Sequence, residues 1–407
     1  MNATFLTPVE LATLLQRALC DCGLNALHDA LNAGQPPTDL PSVDLAVIAF
    51  PRGAPAVAAN VLFSRELPRG HIASLGGPDD VGDVQFLRDL RDERARSVAW
   101  LPGGNWQYLQ FEPLHGSGDV RFVSPYPASL IKLMVAVGVG LLIDGGACRW
   151  ADGLHHRGDD ASIAGWCEWM IVTSDNDATD AMVGLLHRHG LLEPEAAGRP
   201  NRLHEVFQRH GLHTLRMEAT TPAGGWRNVD GAGVGALHMT AWDSARLLWM
   251  LLPNRLLGSR EARSLLSASS RERLWGWLGD QGLHDVLSSG ALAGVPGWER
   301  GIPARLPGRW VTPRGSVAVG KYFYPADVRP ERERSRARFA HKTGTTENYA
   351  SDAGLVLGDG PRGRRYVIAM LSSVGSRFSP HPACATDWCL QRLGRLIDDA
   401  LRDLLES

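Results

Sequence analysis

Ser129 and Lys132 stand three residues apart at the head of a long apolar stretch, and a serine beside an amine can carry out acyl transfer. On a helix, positions i and i+3 share a face, so the hydroxyl and the amine would meet. Lysine is rare in this chain. Of 42 Lys and Arg residues in 407 positions, three are lysine (132, 321 and 342), leaving 39 arginines. Arginine stays protonated at any working pH, whereas a desolvated lysine gives up its proton and acts as a base. A lysine kept where arginine is the rule is therefore a candidate for proton transfer.

The neighbouring residues place this pair. Pro125 and Pro127 precede Ser129, and proline is tolerated before and at a helix start but not inside it. Ser129 is expected in the first turn, where its N–H has no intrahelical partner and can bind an oxygen that becomes negative. Lys132 is surrounded in sequence by Leu, Ile, Met and Val. Burial there would lower its pKa toward the range a general base needs. Taken alone, the same pattern also fits a helix-capping serine and a lysine whose amine reaches water.

Two further groups bear chemistry. Ser174-Asp175-Asn176 falls between two apolar segments, with Asp177 placed to cap the second helix. Alone it also reads as an ordinary interhelical loop. Phe339 to Thr345 alternates like a strand and contains His341-Lys342-Thr343-Gly344, where Gly344 permits close approach to the backbone. Alone it fits a polar edge strand.

The elements around these groups change character along the chain. Thr7-Pro8-Val9-Glu10 reads as a capping box opening a helix with apolar Leu11, Leu14, Leu15, Ala18 and Leu19. Strand-like stretches follow at 43–50 and 57–63, a charged helical pattern at 84–95, and β candidates at 97–101 and 106–111 around a Pro-Gly-Gly turn. Candidate helices span 129–143, 161–172, 177–189, 202–210, 240–252, 260–266 and 270–278. Short strands at 341–346, 353–357 and 366–371 precede a closing amphipathic helix at 386–405. The expectation is an α/β fold, an antiparallel sheet flanked by helices with an all-α part inserted. Residues 1–95 would form an N-terminal helix and strand extension, and 96–407 the catalytic domain. Its all-α part would cover about 129–300, and its C-terminal sheet and helix 339–407.

Composition narrows the partners. Net charge is −2 with pI near 6.7, so no global field favours nucleic acid or an anionic membrane. The apolar run from Leu130 to Ile143 is interrupted by Lys132 and too short to span a bilayer. No basic region or unbroken apolar core marks a secretory signal at the N-terminus, so a cytoplasmic protein acting on a small molecule is expected. The six cysteines form no CxxC pair and the histidines no zinc spacing, so no metal or cofactor is called for. Cys20 and Cys22 read as helix packing. Oligomeric state is not encoded in these patterns.

SxxK, SDN and KTG in this order resemble the class A β-lactamase and penicillin-binding-protein superfamily of active-site serine enzymes. The resemblance covers about 95–407. It extends to 301–307 before KTG, to Asp352-Ala353-Gly354 after it, and to 239–245 at a helix start. It implies that Ser129 is the nucleophile, Lys132 its base, and Ser174 a hydroxyl relay to the leaving group. It further implies that Asn176 binds a substrate amide carbonyl and that Asp175 pins its loop. Lys342 and Thr343 would hold a substrate carboxylate or help lower the pKa of Ser174, Gly344 would let substrate in, and the Thr345 N–H would be the second oxyanion donor.

Departures bear on the reaction. More chain precedes Ser129 than the family fold needs, and 309–338 reads as an inserted surface loop or flap. Family lactamases place a Glu with an Asn four residues later to activate the deacylating water. The candidate here is Glu218, but position 222 is Pro222, and Asn228 could serve only by another geometry. Hydrolysis of β-lactams or related amides and esters is the leading expectation. An esterase, amidase or acyltransferase, a D-alanyl-D-alanine peptidase-like protein and a non-catalytic binder follow.

Overall fold

A computed structural model describes residues 6–37, 39–77, 80–89, 110–193, 201–224, 237–253, 264–378 and 387–406. Helix α1 (Pro8–Asp21) starts at the capping box: Thr7 Oγ1 accepts from the Glu10 N–H at 3.2 Å, and Glu10 accepts from the Thr7 N–H at 2.9 Å. Its apolar stripe of Leu11, Leu15 and Leu19 is fully buried. Cys22 is buried just beyond the helix, whereas Cys20 faces solvent.

The central sheet joins both ends of the chain. Strands β1 (Val43–Ala49), β2 (Val57–Phe63), β3 (His71–Ile72), β4 (Ala337–Thr345), β5 (Ala350–Gly358) and β6 (Arg365–Ser372) lie in the order β4-β5-β6-β1-β2-β3, every pair antiparallel. β1 pairs with β6 along its whole length, Val43 opposite Ser372 and Ala49 opposite Tyr366. Strands β1, β2 and β3, which precede residue 95, therefore share one sheet with β4, β5 and β6, which follow it.

β1 is buried on both faces, which explains its nearly unbroken apolar run. Val43, Leu45, Val47 and Ala49 pack in the core with α1 and the closing helix α9 (Cys389–Leu405). Ala46 and Ile48 pack on the other side with the helical layer. That layer comprises α2 (Lys132–Asp144), α3 (Ile163–Val172), α4 (Asn176–Arg188), α5 (Arg202–Arg209), α6 (Ala241–Leu251) and α7 (Ala268–Gly279). α2 is apolar all round and its first nine residues are all buried, as such a helix must be.

Several expected elements differ. Val84–Leu87 is a strand, paired with Pro113–His115 and Val120–Val123, because Val84 and Phe86 gain more by burial across strands than the charge pattern gains as a helix. Residues 90–95, the candidate strand 97–101 and most of 106–111 lie outside the described residues. Asp159–Ser162 belongs to a hairpin with Gly153–His156, and α3 starts one residue later, capped by Ser162 on the Gly165 N–H at 3.1 Å. Of 260–266, residues 264–266 form no helix and the others are not described.

The stretch 309–338 is not a bare loop. It contains a tight hairpin, Val317–Val319 with Tyr322–Tyr324, and helix α8 (Arg329–Arg334). Val317, Val319, Tyr324 and Val328 share a small core with Leu283, Leu292 and Trp388. The alternation that builds the hairpin spans only three residues per strand, too short to read from sequence. Among the described residues no helix is long and apolar enough to cross a membrane.

Candidate active site

The site forms where α2 begins, where α3 meets α4, and at the end of β4. Ser129 lies in a 3-10 turn, Ala128–Ile131, that feeds directly into α2 at Lys132. Ala128 enters this turn at φ +50°, a left-handed conformation that costs a non-glycine residue about 1 kcal/mol or more. Ser351 of β5 ties the turn to the sheet by donating to the Pro127 carbonyl at 2.6 Å. Gly344 presses on it from β4: a Cβ there would lie 2.6 Å from the Ser129 nitrogen and 2.8 Å from that of Leu130. Only glycine permits this approach.

Ser174 is a single residue between two helix caps. The Thr173 and Asp175 N–H groups both donate to the Trp169 carbonyl, closing α3. The Asp175 carboxylate accepts from the Ala178 N–H at 2.7 Å and caps α4. The cap is therefore Asp175 and not Asp177, whose carboxylate pairs with Arg157. To reverse the chain, Ser174 takes φ +58°, a position usually given to glycine. Serine is strained there, but it supplies a hydroxyl.

Lys132 is fully buried and its Nζ touches four oxygens. They are Ser174 O at 2.7 Å, Asn176 Oδ1 at 2.8 Å, and the hydroxyls of Ser129 and Ser174, each at 3.1 Å. An ammonium has three N–H donors and no lone pair. The strongest contacts of Lys132 run to the two carbonyl oxygens, and once it has lost a proton its lone pair can accept one from a hydroxyl beside it. Burial, and then the charge of Lys342, hold the Lys132 pKa well below the ordinary lysine range.

Lys342 is equally buried. Its Nζ donates to Ser174 Oγ at 2.9 Å and to the Thr343 carbonyl at 2.7 Å. Burial lowers its pKa to about 7, against the pull of Asp352 and Asp285. Behind it, His341 Nδ1 and Asp352 Oδ1 meet at 2.7 Å, both fully buried, and the Leu287 N–H donates to the other Asp352 oxygen at 3.1 Å. Thr343 is buried, whereas Thr345 is exposed at the end of β4.

Ser129, Lys132, Ser174, Asn176 and Lys342 thus form one connected hydrogen-bond network, with Gly344 against the nucleophile turn. Glu218 is held elsewhere. Both its oxygens accept from Arg88, at 2.6 and 3.0 Å, and Arg216 stands 3.9 Å away. Burial raises its pKa, but Arg88 outweighs burial and the net shift is downward. None of its described hydrogen bonds runs to Ser129 or Lys132. Asn228 and Trp226 lie outside the described residues. Trp166 is buried, with its Nε1–H on the Leu154 carbonyl, and Trp169 is exposed.

The model of the beta-lactamase enzyme family matches residues 123–400, about two thirds of the chain. The chain belongs to the beta-lactamase enzyme family. This family member is similar to several solved structures. PBP-A is 20% identical over 68% of this chain and 81% of its own, with TM-score 0.42. The TLA-1 extended-spectrum beta-lactamase is 14% identical over 99% and 100%, with TM-score 0.47. A beta-lactamase from Sphaerobacter thermophilus is 14% identical over 95% and 96%, with TM-score 0.48. No curated relative matches the chain.

Within this family member, sequence reasoning missed Ser351, which ties the turn holding Ser129 to the sheet, and the His341–Asp352 pair behind Lys342. Ser351 directly precedes the stretch matched from Asp352, but its role depends on the register that puts Ser351 opposite Gly344.

Proposed function

We propose that the chain is an active-site serine hydrolase that forms an acyl-enzyme on Ser129 and acts on β-lactams or related amides and esters. The observation that carries this reading is the buried Lys132 amine, 3.1 Å from the Ser129 hydroxyl, with its pKa held well below the ordinary lysine range by burial and then by the charge of Lys342. Neutral Lys132 takes the proton of Ser129 as Oγ bonds to the substrate carbonyl carbon. The carbonyl oxygen, now negative, lies toward the N–H groups of Ser129 and Thr345. When the tetrahedral species collapses, the bond to the leaving nitrogen or oxygen breaks. The proton on Lys132 passes through Ser174 Oγ, which it touches at 3.1 Å, to that leaving atom. Water then adds to the ester, Ser129 regains its proton, and the acid is released.

In this reading Asn176 orients the substrate amide, and Lys342 with Thr343 holds its carboxylate. A second reading follows from Glu218. With its carboxylate engaged twice by Arg88, it is a weak candidate for activating water, which supports a slowly deacylating, penicillin-binding-protein-like enzyme. A chromogenic cephalosporin, a p-nitrophenyl ester and a fluorescent penicillin, followed by intact mass, separate these outcomes. Turnover of the cephalosporin supports a lactamase, turnover of the ester alone an esterase, and a lasting adduct the second reading. Absence of adduct and turnover with all three refutes the acyl-enzyme.

A further inference from the structure

The turn that follows Thr345 is held from the other end of the chain. Thr345 ends β4, the outermost strand of the sheet, whose partner within it is β5. The turn between them, 346–349, is closed by two bonds of its own. The Thr346 N–H donates to the Tyr349 carbonyl at 2.8 Å, and the Tyr349 N–H to Thr346 Oγ1 at 3.1 Å. Further backbone partners come from the segment after β6. The Ser376 N–H donates to the Thr346 carbonyl at 2.9 Å, and the Arg377 N–H to the Glu347 carbonyl at 3.1 Å. Gly375 makes this approach possible, because a Cβ there would lie 2.3 Å from the Glu347 oxygen and the Tyr349 nitrogen.

Arg377 ties the turn to the N-terminal part of the chain. Its Nη1 donates to Asn348 Oδ1 at 3.1 Å, and its Nε to Asp29 Oδ1 at 3.0 Å, 348 residues away in sequence. Nη2 donates to the other Asp29 oxygen, so the pair is bidentate, the strongest form of such a contact. The Ala30 N–H completes the exchange on the Arg377 carbonyl at 2.9 Å. Asp29 is itself fixed. It is 5% exposed, and its carboxylate also accepts from the Leu31 N–H at 2.9 Å. Its carbonyl accepts from the Asn32 and Gly34 N–H groups at 3.0 and 2.9 Å. Burial raises the Asp29 pKa, but the bonds from Arg377 and the Leu31 N–H outweigh burial, and the net shift is downward. A fixed loop thus presents a charged carboxylate to the arginine that grips the turn beyond Thr345.

An oxyanion donor is effective only when it needs no reorganisation as charge develops. At the end of an outer strand, that fixity must come from the turn beyond it. We propose that Asp29 is a positioning residue for acyl transfer: through Arg377 it holds the turn 346–349, and with it the Thr345 N–H at the developing oxyanion. This rests on the acyl-enzyme reading of Ser129.

The test measures acylation by a cephalosporin and by its analogue with sulfur in place of the β-lactam carbonyl oxygen. The full chain, Asp29→Asn, Arg377→Met and the double variant are compared, with thermal melts to check folding. Thiocarbonyl sulfur accepts hydrogen bonds poorly, so the oxygen-to-sulfur rate ratio reports on the oxyanion donors. In each single variant the saturating acylation rate with the cephalosporin falls about tenfold, while the half-saturating concentration stays within about twofold. The oxygen-to-sulfur ratio falls about fivefold. The double variant is no slower than Arg377→Met, because both changes act through one contact. Rates within twofold of wild type overturn the positioning role and leave the acyl-enzyme standing. A lower rate with an unchanged ratio also overturns it, since that marks a general loosening of the fold. Additive losses in the double variant overturn the route through Arg377. A wild-type chain that forms no adduct overturns both the positioning role and the acyl-enzyme.

Discussion

Lys342 donates to Ser174 Oγ at 2.9 Å although 168 residues separate them. The same hydroxyl accepts from Lys132 at 3.1 Å, so one small polar atom bridges two buried amines. Burial, and then the charge of Lys342, lower the proton affinity of Lys132. A lowered proton affinity beside Ser129 is what a general base at this position requires.

Replacing the nucleophile should remove the covalent step and little else. Ser129→Ala shortens a half-buried side chain in a 3-10 turn, and Lys132 keeps its bonds to Ser174 and Asn176. Intact mass after incubation with a penicillin should show no adduct on this variant while the melt stays within a few degrees of wild type. An adduct on the variant would move the nucleophile elsewhere.

Lys132→Met fills the same buried space without an amine. Acylation should fall by about 10²-fold or more, the scale of a lost general base. Stability should hold or rise, because an amine buried at a cost is gone. Rapid-quench acylation rates that match wild type would leave Lys132 a packing residue.

Glu218→Gln loosens a paired carboxylate and should lower stability by about 1–3 kcal/mol. The steady-state rate after the burst should stay within twofold of wild type, since Arg88 already occupies both carboxylate oxygens. A collapse of that rate with accumulating acyl-enzyme would place Glu218 at the deacylating water.

The folded pKa of Lys342, about 7, lies below the ordinary 10.5, so between these values the unfolded chain binds the extra proton. The stability linked to this residue is lowest below pH 7 and recovers as pH rises toward 10.5. Lys342→Met removes that dependence. Its melting temperature relative to wild type should be higher at pH 6 than at pH 9.5, by about 3 °C or more. A difference that does not change with pH would mean Lys342 keeps its ordinary proton affinity.

Gly344→Ala puts a methyl 2.6 Å from the Ser129 nitrogen, against backbone that cannot turn aside. The nucleophile turn must shift, and misplacement by about 1 Å costs roughly 10² in rate. Acylation should drop by that order with a stability loss of about 1–3 kcal/mol, read by kinetics and thermal melts on the same preparation.

By itself, the sequence determined the family, the candidate site residues and most of the local elements of this protein. Two of three lysines in an arginine-rich chain, each beside serine- or glycine-bearing motifs, marked Ser129, Lys132, Ser174 and Lys342. Periodicity placed α4 and α6 to within one residue and α2 to within three, because an amphipathic or wholly apolar helix carries its signal in one window. Tertiary structure decided what depends on partners far along the chain. Val84–Leu87 is a strand because Val120–Val123 and Pro113–His115 pair with it. β1 lies inside the sheet because β6, more than 300 residues later, matches it along its length. Glu218 had the right chemical type, but its carboxylate was claimed by Arg88, 130 residues away. The hairpin whose Gly320 lies against Thr173 was hidden for the same reason: burial and pairing energies accrue only when distant segments meet, and no local window contains them.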